Sequence, residues 1–307
     1  MTVVSVLEIG GTHVTAADVA IDSRGVGQMF REPLDSDGSA EEIVSTLARC
    51  AARLPARPGA RWSVAVPGPF DYEGGIGQFE GVGKFEALRG FDLRAALTSL
   101  LPSPAGLSFH NDAHAFALGE WWAGAARGHR SAVGITLGTG VGSGFVLDGQ
   151  VRRSGPGVPP DGRLDLVRHA GLPLEETVSR RAIRRAYADA VGAPPELDVR
   201  EIADRARQGD RAAAEVFTRT FHVLGAVLGP LLADFGATVV VVGGSIAASW
   251  DLVAPPLGAG LGAGPVVLTQ AHDLTQASLL GAAYLATATP ATPAPGSSVD
   301  QRVRGRG

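Results

Sequence analysis

Ser131-Ala132-Val133-Gly134-Ile135-Thr136-Leu137-Gly138-Thr139-Gly140-Val141-Gly142-Ser143-Gly144-Phe145-Val146-Leu147 reads as an apolar strand, a glycine turn and a return strand. The strands are predicted over 131–137 and 143–147, with Gly138-Thr139-Gly140-Val141-Gly142 between them. Working outward, the chain opens on the same pattern. A valine-rich run over 3–9 is broken by Gly10-Gly11-Thr12 and followed by a second β-like run over 14–21. The recurrence is an internal repeat of about 130 residues, far longer than a solenoid unit. It predicts a pair of α/β lobes related by pseudo-symmetry, with a ligand between them.

The remaining segments fit that frame. Ser39 followed by Glu42 is a capping signature for a helix reaching about residue 54. A short strand over 62–66 is stopped by Pro67-Gly68-Pro69, and Gly74, Gly75, Gly77, Gly81 and Gly83 make the next stretch a glycine-rich loop of the kind that lines sites. Helices are predicted over 91–101, 174–187, 199–206, 211–235 and 276–286, with strands over 106–110 and 238–242, the latter ending in Gly243-Gly244. Asn111-Asp112 falls where a strand ends and a helix begins. The predicted organisation is a small lobe over 1–112 completed by the helix at 276–286, a larger lobe over 113–275, and a disordered tail over 287–307 rich in Thr, Pro, Ala, Ser and Arg.

Composition excludes several classes. The 307 residues are 45% hydrophobic and 19% charged, with a formal net charge of −4 and no long basic run, so neither nucleic acid nor an anionic membrane is an expected partner. No apolar stretch is expected to cross a membrane, and the N-terminus lacks the basic region of a signal peptide, so the expected location is cytoplasmic. Cys50 is the only cysteine, which rules out an internal disulfide and a thiolate-rich zinc site. It reads as a core residue. The seven histidines do not fall at metal-binding spacing, although His110 and His114 are four apart, and Trp121-Trp122 reads as packing.

Gly-Gly-Thr and Gly-Thr-Gly turns expose backbone N–H groups with no side chain in the way, and such donors cradle phosphate oxygens. The hydroxyls of Thr12 and Thr139 each add a donor. A glycine hairpin without ligand is the plain alternative for either turn alone; two such turns opening matching lobes favour phosphate. No G-x-x-x-x-G-K-[ST] segment and no helix-opening G-x-G-x-x-G is present, so the phosphates are not held by a P-loop or a dinucleotide fold. Phosphoryl transfer to a hydroxyl also needs a carboxylate that takes the proton, and Asp112 stands at the strand end where ligands bind in open α/β sheets. Capping of the following helix is the other reading of Asp112, and both can hold.

Six segments, in order and spacing, resemble the ROK family of bacterial sugar kinases and repressors: Glu8-Ile9-Gly10-Gly11-Thr12, Val66-Pro67-Gly68-Pro69-Phe70-Asp71, Asn111-Asp112-Ala113, Leu137-Gly138-Thr139-Gly140-Val141-Gly142, Val242-Gly243-Gly244 and Leu280-Gly281-Ala282-Ala283. The resemblance implies a two-lobed actin/hexokinase-like (ribonuclease H-like) fold with ATP and Mg²⁺ in a central cleft, and a homodimer. It implies that Gly10, Gly11, Thr12, Gly138, Thr139 and Gly140 face the phosphates and that Gly243 and Gly244 lie beside the adenosine. Asp112 would be the catalytic base, Asn111 would hold a sugar hydroxyl, and Gly68 and Glu175 would line the sugar site, with Glu176 adjacent to Glu175 in register.

Three departures set this chain apart from the family pattern. Glu8 stands where the family usually has aspartate, and its extra methylene moves the carboxylate by about 1.5 Å, altering how it would orient a metal-bound water. The cysteine-rich zinc motif is absent. Gly155-Pro156-Gly157-Val158-Pro159-Pro160-Asp161-Gly162-Arg163-Leu164-Asp165 stands where a Glu-x-Gly-His segment normally reads the sugar, so Arg163 and Asp165 are candidate readers against a solvated loop. Lys84, among glycines in the sugar-facing loop, is a further candidate for a substrate hydroxyl. The expected reaction is transfer of the γ-phosphoryl group of ATP to a hydroxymethyl oxygen of a hexose. An amino sugar such as kanosamine, or a C7 cyclitol, is the alternative acceptor. Family repressors carry a helix-turn-helix ahead of the first turn, which here begins by residue 8; a sugar-binding regulator without catalysis is the rival of another class.

Overall fold

The computed structural model describes residues 2–102 and 104–288. Two five-stranded mixed sheets dominate it, and they share one topology. In the first, β1 (Val3–Ile9), β2 (His13–Ala20) and β3 (Gly25–Pro33) form an antiparallel meander, and β4 (Ala60–Val66) and β7 (Pro104–Asn111) add in parallel beside β1, giving the order β3-β2-β1-β4-β7. Between β4 and β7 lie the small hairpin of β5 (Phe70–Asp71) and β6 (Ile76–Gly77), then α2 (Leu93–Leu100). In the second sheet β8 (Ser131–Leu137), β9 (Val141–Leu147) and β10 (Gln150–Arg152) make the meander, and β13 (Val239–Gly243) and β14 (Val267–Gln270) add in parallel beside β8. β11 (Arg168–His169) and β12 (Leu172–Pro173) form a separate two-stranded ribbon.

Each sheet has a helical layer of its own. α1 (Ala40–Ala51) and α2 bury Ile43, Leu47, Leu93 and Leu97 against Leu7, Ile9, Val64 and Phe109. α4 (Glu175–Val178), α5 (Arg180–Val191), α6 (Val199–Arg207), α7 (Arg211–Phe235) and α8 (Trp250–Leu261) cover the second sheet around Ile135, Phe145, Val240 and Val242. α7 is long and apolar enough to cross a membrane, contrary to the expectation that no segment would be. Its buried residues recur at helical spacing, as in Val216, Phe217, Thr220, Phe221, Leu224 and Leu228, and belong to the second core. It is a core helix.

The opposite faces are covered by exchange. α3 (Asp112–Trp122) continues β7 of the first sheet but lies on the second, with Ala113 and Ala117 over Gly134, Gly142 and Gly144. A Cβ on Gly144 would stand 2.6 Å from the Ala117 methyl, so those glycines set how closely the helix approaches. α9 (Ala277–Ala288) follows β14 of the second sheet but lies on the first, against Val4, Val6, Ala17 and Val19. α3 and α9 then cross each other at Gly119 and Gly281. A Cβ on Gly281 would meet the Ala115 carbonyl at 1.7 Å, and one on Gly119 the Ala277 carbonyl at 1.8 Å.

Several expected boundaries move. The first helix ends at Ala51, and the helix expected over 174–187 is two, α4 and α5. Ser179 between them is extended, and its hydroxyl accepts the Ala182 N–H as the cap of α5. β3, β14 and α8 were not anticipated. No residue of β3 or β14 is fully buried, so neither shows a buried alternation, and Pro255-Pro256 inside α8 reads as a breaker in sequence. α9 extends to Ala288, so the predicted tail overlaps a helix by two residues and otherwise lies outside the described residues.

Candidate functional site: two facing glycine turns and a buried carboxylate

Both glycine turns leave donors free. In the first, Gly10 N–H is held by the His13 carbonyl at 2.9 Å; in the second, Gly138 N–H is held by the Gly140 carbonyl at 3.0 Å. Among the described residues the N–H groups of Gly11, Thr12, Thr139 and Gly140 have no hydrogen-bond partner. Unpaired backbone donors in a turn are an anion nest, and four of them fit a phosphate chain. The two turns also face each other: a Cβ on Gly11 would stand 4.0 Å from Thr139 Oγ1. Thr12 Oγ1 lies 2.9 Å from His13 Nδ1, so that hydroxyl already has a partner. Gly243-Gly244 ends β13 next to the second turn. Gly244 has φ 84°, and a Cβ there would strike the Leu137 carbonyl at 2.3 Å, so only glycine lets β13 turn away at that point.

Asn111-Asp112 closes β7 and opens α3. The cap is Asn111, whose Oδ1 accepts the His114 N–H at 3.0 Å, while Asp112 Oδ1 takes only the adjacent Ala113 N–H at 2.8 Å. The capping alternative for Asp112 therefore passes to its neighbour. Burial pushes the Asp112 carboxyl above the usual aspartate range, and the positive charge of Lys84 partly offsets that. Asn111 Nδ2 donates to the Tyr72 hydroxyl at 2.9 Å. Tyr72 was not anticipated from sequence; its hydroxyl also lies 3.4 Å from where a Gly68 Cβ would be, so Gly68, Tyr72 and Asn111 form one wall. Burial, first, and the Asp112 charge hold the Tyr72 phenol protonated.

Glu175 opens α4, and its Oε1 lies 3.2 Å from the position of a Gly140 Cβ, against the second turn. Burial and then the Asp165 charge raise its pKa, with Lys84 the leading opposing influence. Glu176 instead turns outward to Arg181 and Arg185. The 155–165 segment is anchored rather than solvated: Ser143 Oγ binds the Gly162 carbonyl and accepts the Leu164 N–H at 3.1 Å, and Leu164 is buried. Asp165, 7% exposed, holds Arg163 through both carboxylate oxygens. The Arg163 guanidinium stands within electrostatic reach of Glu175 and Tyr72. Asp165 is thus placed behind Arg163, as its support.

Glu8 ends β1 beside Thr15 and lines a cavity of about 200 Å³ with Gly10, Thr12, His13 and Arg31. Its pKa is raised by burial, eased by the Ser278 side chain, and raised again by the Asp112 charge. It has no ion-pair partner among the described residues. A carboxylate with these properties suits a hydrated divalent cation, whose charge would relieve the Glu8–Asp112 repulsion. His110 and His114 are both lowered to about 4, mainly by burial, and are neutral near pH 7. Trp121 and Trp122 pack on Tyr284 of α9, with ring centroids 6.1 and 5.5 Å away, and Cys50 is fully buried.

The model of the ROK family matches residues 4–289. A glucokinase of Thermotoga maritima is 29% identical over 273 residues, covering 82% of this chain and 84% of the relative. The crystal structure of a ROK hexokinase from Thermus thermophilus superposes with a TM-score of 0.75 at 28% identity, covering 94% of this chain and 99% of that one. A ROK family glucokinase from Streptomyces griseus, crystallised with glucose and AMPPNP, superposes with a TM-score of 0.77 at 25% identity, covering 94% and 100%. The two-sheet architecture is the actin/hexokinase-like fold of these structures.

Proposed function

We propose, because the chain belongs to the ROK family, that it is a sugar kinase transferring the γ-phosphoryl group of ATP to a hydroxymethyl oxygen of glucose or a closely similar hexose. The observation that supports this reading is the placement of Asp112, a carboxylate free of side-chain partners, at the end of β7, within electrostatic reach of Glu8 before the first turn and of Lys84, whose stem lies against Gly11. A proton acceptor and a phosphate cradle are the two elements that phosphoryl transfer to an alcohol requires of the protein.

Asp112 takes the proton of the attacking hydroxymethyl group. Burial raises its pKa above the ordinary aspartate range, which strengthens it as a base, and the Lys84 charge favours its ionised form. Asn111, held by the His114 N–H and the Tyr72 hydroxyl, retains one amide hydrogen and one lone pair for a neighbouring sugar hydroxyl. Glu175 and Arg163 take further hydroxyls from the opposite wall, with Asp165 fixing the guanidinium. The free N–H groups of Gly11, Thr12, Thr139 and Gly140 hold the phosphates, and Gly243-Gly244 lies beside the adenosine. Mg²⁺, held through water by Glu8, would offset phosphate charge when bound. Two lobes joined near Asp112 would close on the substrates, and the working state is proposed to be a cytoplasmic homodimer.

The name of the S. griseus structure favours glucose, whereas the absence of a Glu-x-Gly-His segment at 155–165 alters the set of hydroxyl partners. A coupled ADP-release assay over hexoses, amino sugars and cyclitols tests the proposal. It expects turnover with glucose or an amino hexose and none with 6-deoxyglucose. Binding of a sugar with no ADP release on any acceptor would replace the kinase by a regulator.

A further inference from the structure

Lys84 is the only lysine of the chain; every other one of the 27 basic residues is arginine. In a sequence that otherwise uses arginine throughout, an interchangeable surface cation would be expected to be arginine too. The two are not interchangeable where a compact charge on a flexible stem is required rather than a planar fork.

The local backbone aims this lysine into the cleft. Gly83 before it has φ 67°, and Phe85 after it has φ 57°, a left-handed conformation that a phenylalanine seldom adopts. That conformation is held from several sides. The Phe85 ring is fully buried and packs 5.3 Å from that of Phe79, Phe85 N–H donates to the Ser36 carbonyl at 2.8 Å, and Glu86 Oε1 accepts the N–H groups of Val82 and Gly83 at 2.9 and 3.1 Å. An over-determined strained residue beside a lone cation is the pattern of a positioned functional group. The stem then runs along the first glycine turn: Lys84 Cδ lies 4.0 Å from where a Gly11 Cβ would be, the same position that is 4.0 Å from Thr139 Oγ1 of the second turn. Lys84 is half-buried and makes no hydrogen bond or ion pair among the described residues. Its charge is the leading influence that favours the ionised forms of both Asp112 and Glu175.

A lysine directed only at a sugar hydroxyl would not need to lie along the phosphate turn. We infer that Lys84 is a catalytic residue, its ammonium contacting the transferring phosphoryl group between the two glycine turns while its stem borders the acceptor site. This rests on the kinase reading above. In the step itself Asp112 receives the hydroxyl proton, the acceptor oxygen bonds to the γ-phosphorus, and the bond from phosphorus to the β,γ-bridging oxygen breaks, its electron pair leaving on ADP. Lys84 stays protonated and donates N–H to an equatorial phosphoryl oxygen, where negative charge is concentrated in the transition state.

Two measurements test it. In steady-state kinetics Lys84→Met is expected to lower kcat by about 10²-fold or more, as removal of one transition-state donor does, with the sugar KM within about threefold of wild type, and Lys84→Arg to recover part of the loss. A raised sugar KM with kcat preserved would overturn the inference and leave Lys84 as a reader of the sugar. The second measurement needs no turnover. Reductive methylation of the wild-type chain, followed by mass spectrometry of the peptide carrying Lys84, is expected to be slowed severalfold by AMPPNP and Mg²⁺ and not by AMP, which lacks the β- and γ-phosphates. Equal modification with AMPPNP and AMP would overturn the assignment. Should the wild type release no ADP with any acceptor, the kinase reading fails, and the methylation comparison alone decides whether Lys84 meets the phosphates.

Discussion

In the first sheet two strand ends carry carboxylates, Glu8 next to last in β1 and Asp112 directly after β7; at the equivalent places of the second sheet stand Thr136, next to last in β8, and Ala271, directly after β14. The two sheets have the same strand order, so the difference lies in side chains placed on equivalent backbone. The first half alone carries charge at these strand ends, whereas both halves supply a glycine turn with free backbone donors. The covering helices show a second asymmetry. α3 approaches the second sheet because the strands there carry Gly134, Gly142 and Gly144, whereas α9 approaches the first with the small residues on the helix itself, Ala282, Ala283 and Ala286. A close fit is reached by removing side chains from whichever partner can lose them.

The largest break in the comparison comes from removing the charge at the end of β7. Asp112→Asn keeps the shape and is expected to lower kcat by about 10²-fold or more, the range of general-base catalysis. Wild-type activity should also fall on the acid side at a pH above the ordinary aspartate value. The Asp112 carboxyl is raised by burial, and a protonated Asp112 cannot accept the hydroxyl proton as pH drops through that pKa. A pH–rate profile of kcat/KM reads this limb, and a limb at or below the ordinary value would point to another base.

Next in size is the crossing of α3 and α9. Gly281→Ala places a methyl 1.7 Å from the Ala115 carbonyl, and the overpacking is expected to destabilise by about 3 kcal/mol. Thermal unfolding checks it. Gly258→Ala in α8, where the nearest atom is Leu268 Cδ2 at 3.7 Å, serves as the tolerant counterpart and should be neutral or stabilising by about 0.5 kcal/mol. The smallest effect is expected at the wall behind Asn111. Tyr72→Phe removes the acceptor of one amide hydrogen, worth about 1 kcal/mol, and should raise the sugar KM by about fivefold with the ATP KM unchanged.

Much of this arrangement was legible in sequence, because turns that need bare backbone must be written in glycine. Gly10-Gly11 and Gly138-Thr139-Gly140 mark both nests, and the apolar runs before them mark the strands. The helix exchange was not legible: α9 is apolar on nearly every side, so its sequence names no face and no partner. The choice between Asn111 and Asp112 as the cap was open because both side chains cap well, and only the hydrogen bond to His114 separates them. Tyr72 carried no distinctive signal, standing between Asp71 and Glu73 in a loop with several other polar residues. Arg163 and Asp165, two apart, could be seen as candidates, but their pairing depends on Ser143 pinning the segment from another strand.

The most direct test is the identity of the product. Wild-type chain incubated with ATP, Mg²⁺ and glucose should give a sugar phosphate whose phosphorus couples, in a two-dimensional ³¹P–¹H spectrum, to the two hydrogens on C6. A phosphate ester on a ring carbon would contradict the assignment of the hydroxymethyl oxygen, and inorganic phosphate as the sole product would contradict transfer to a sugar at all.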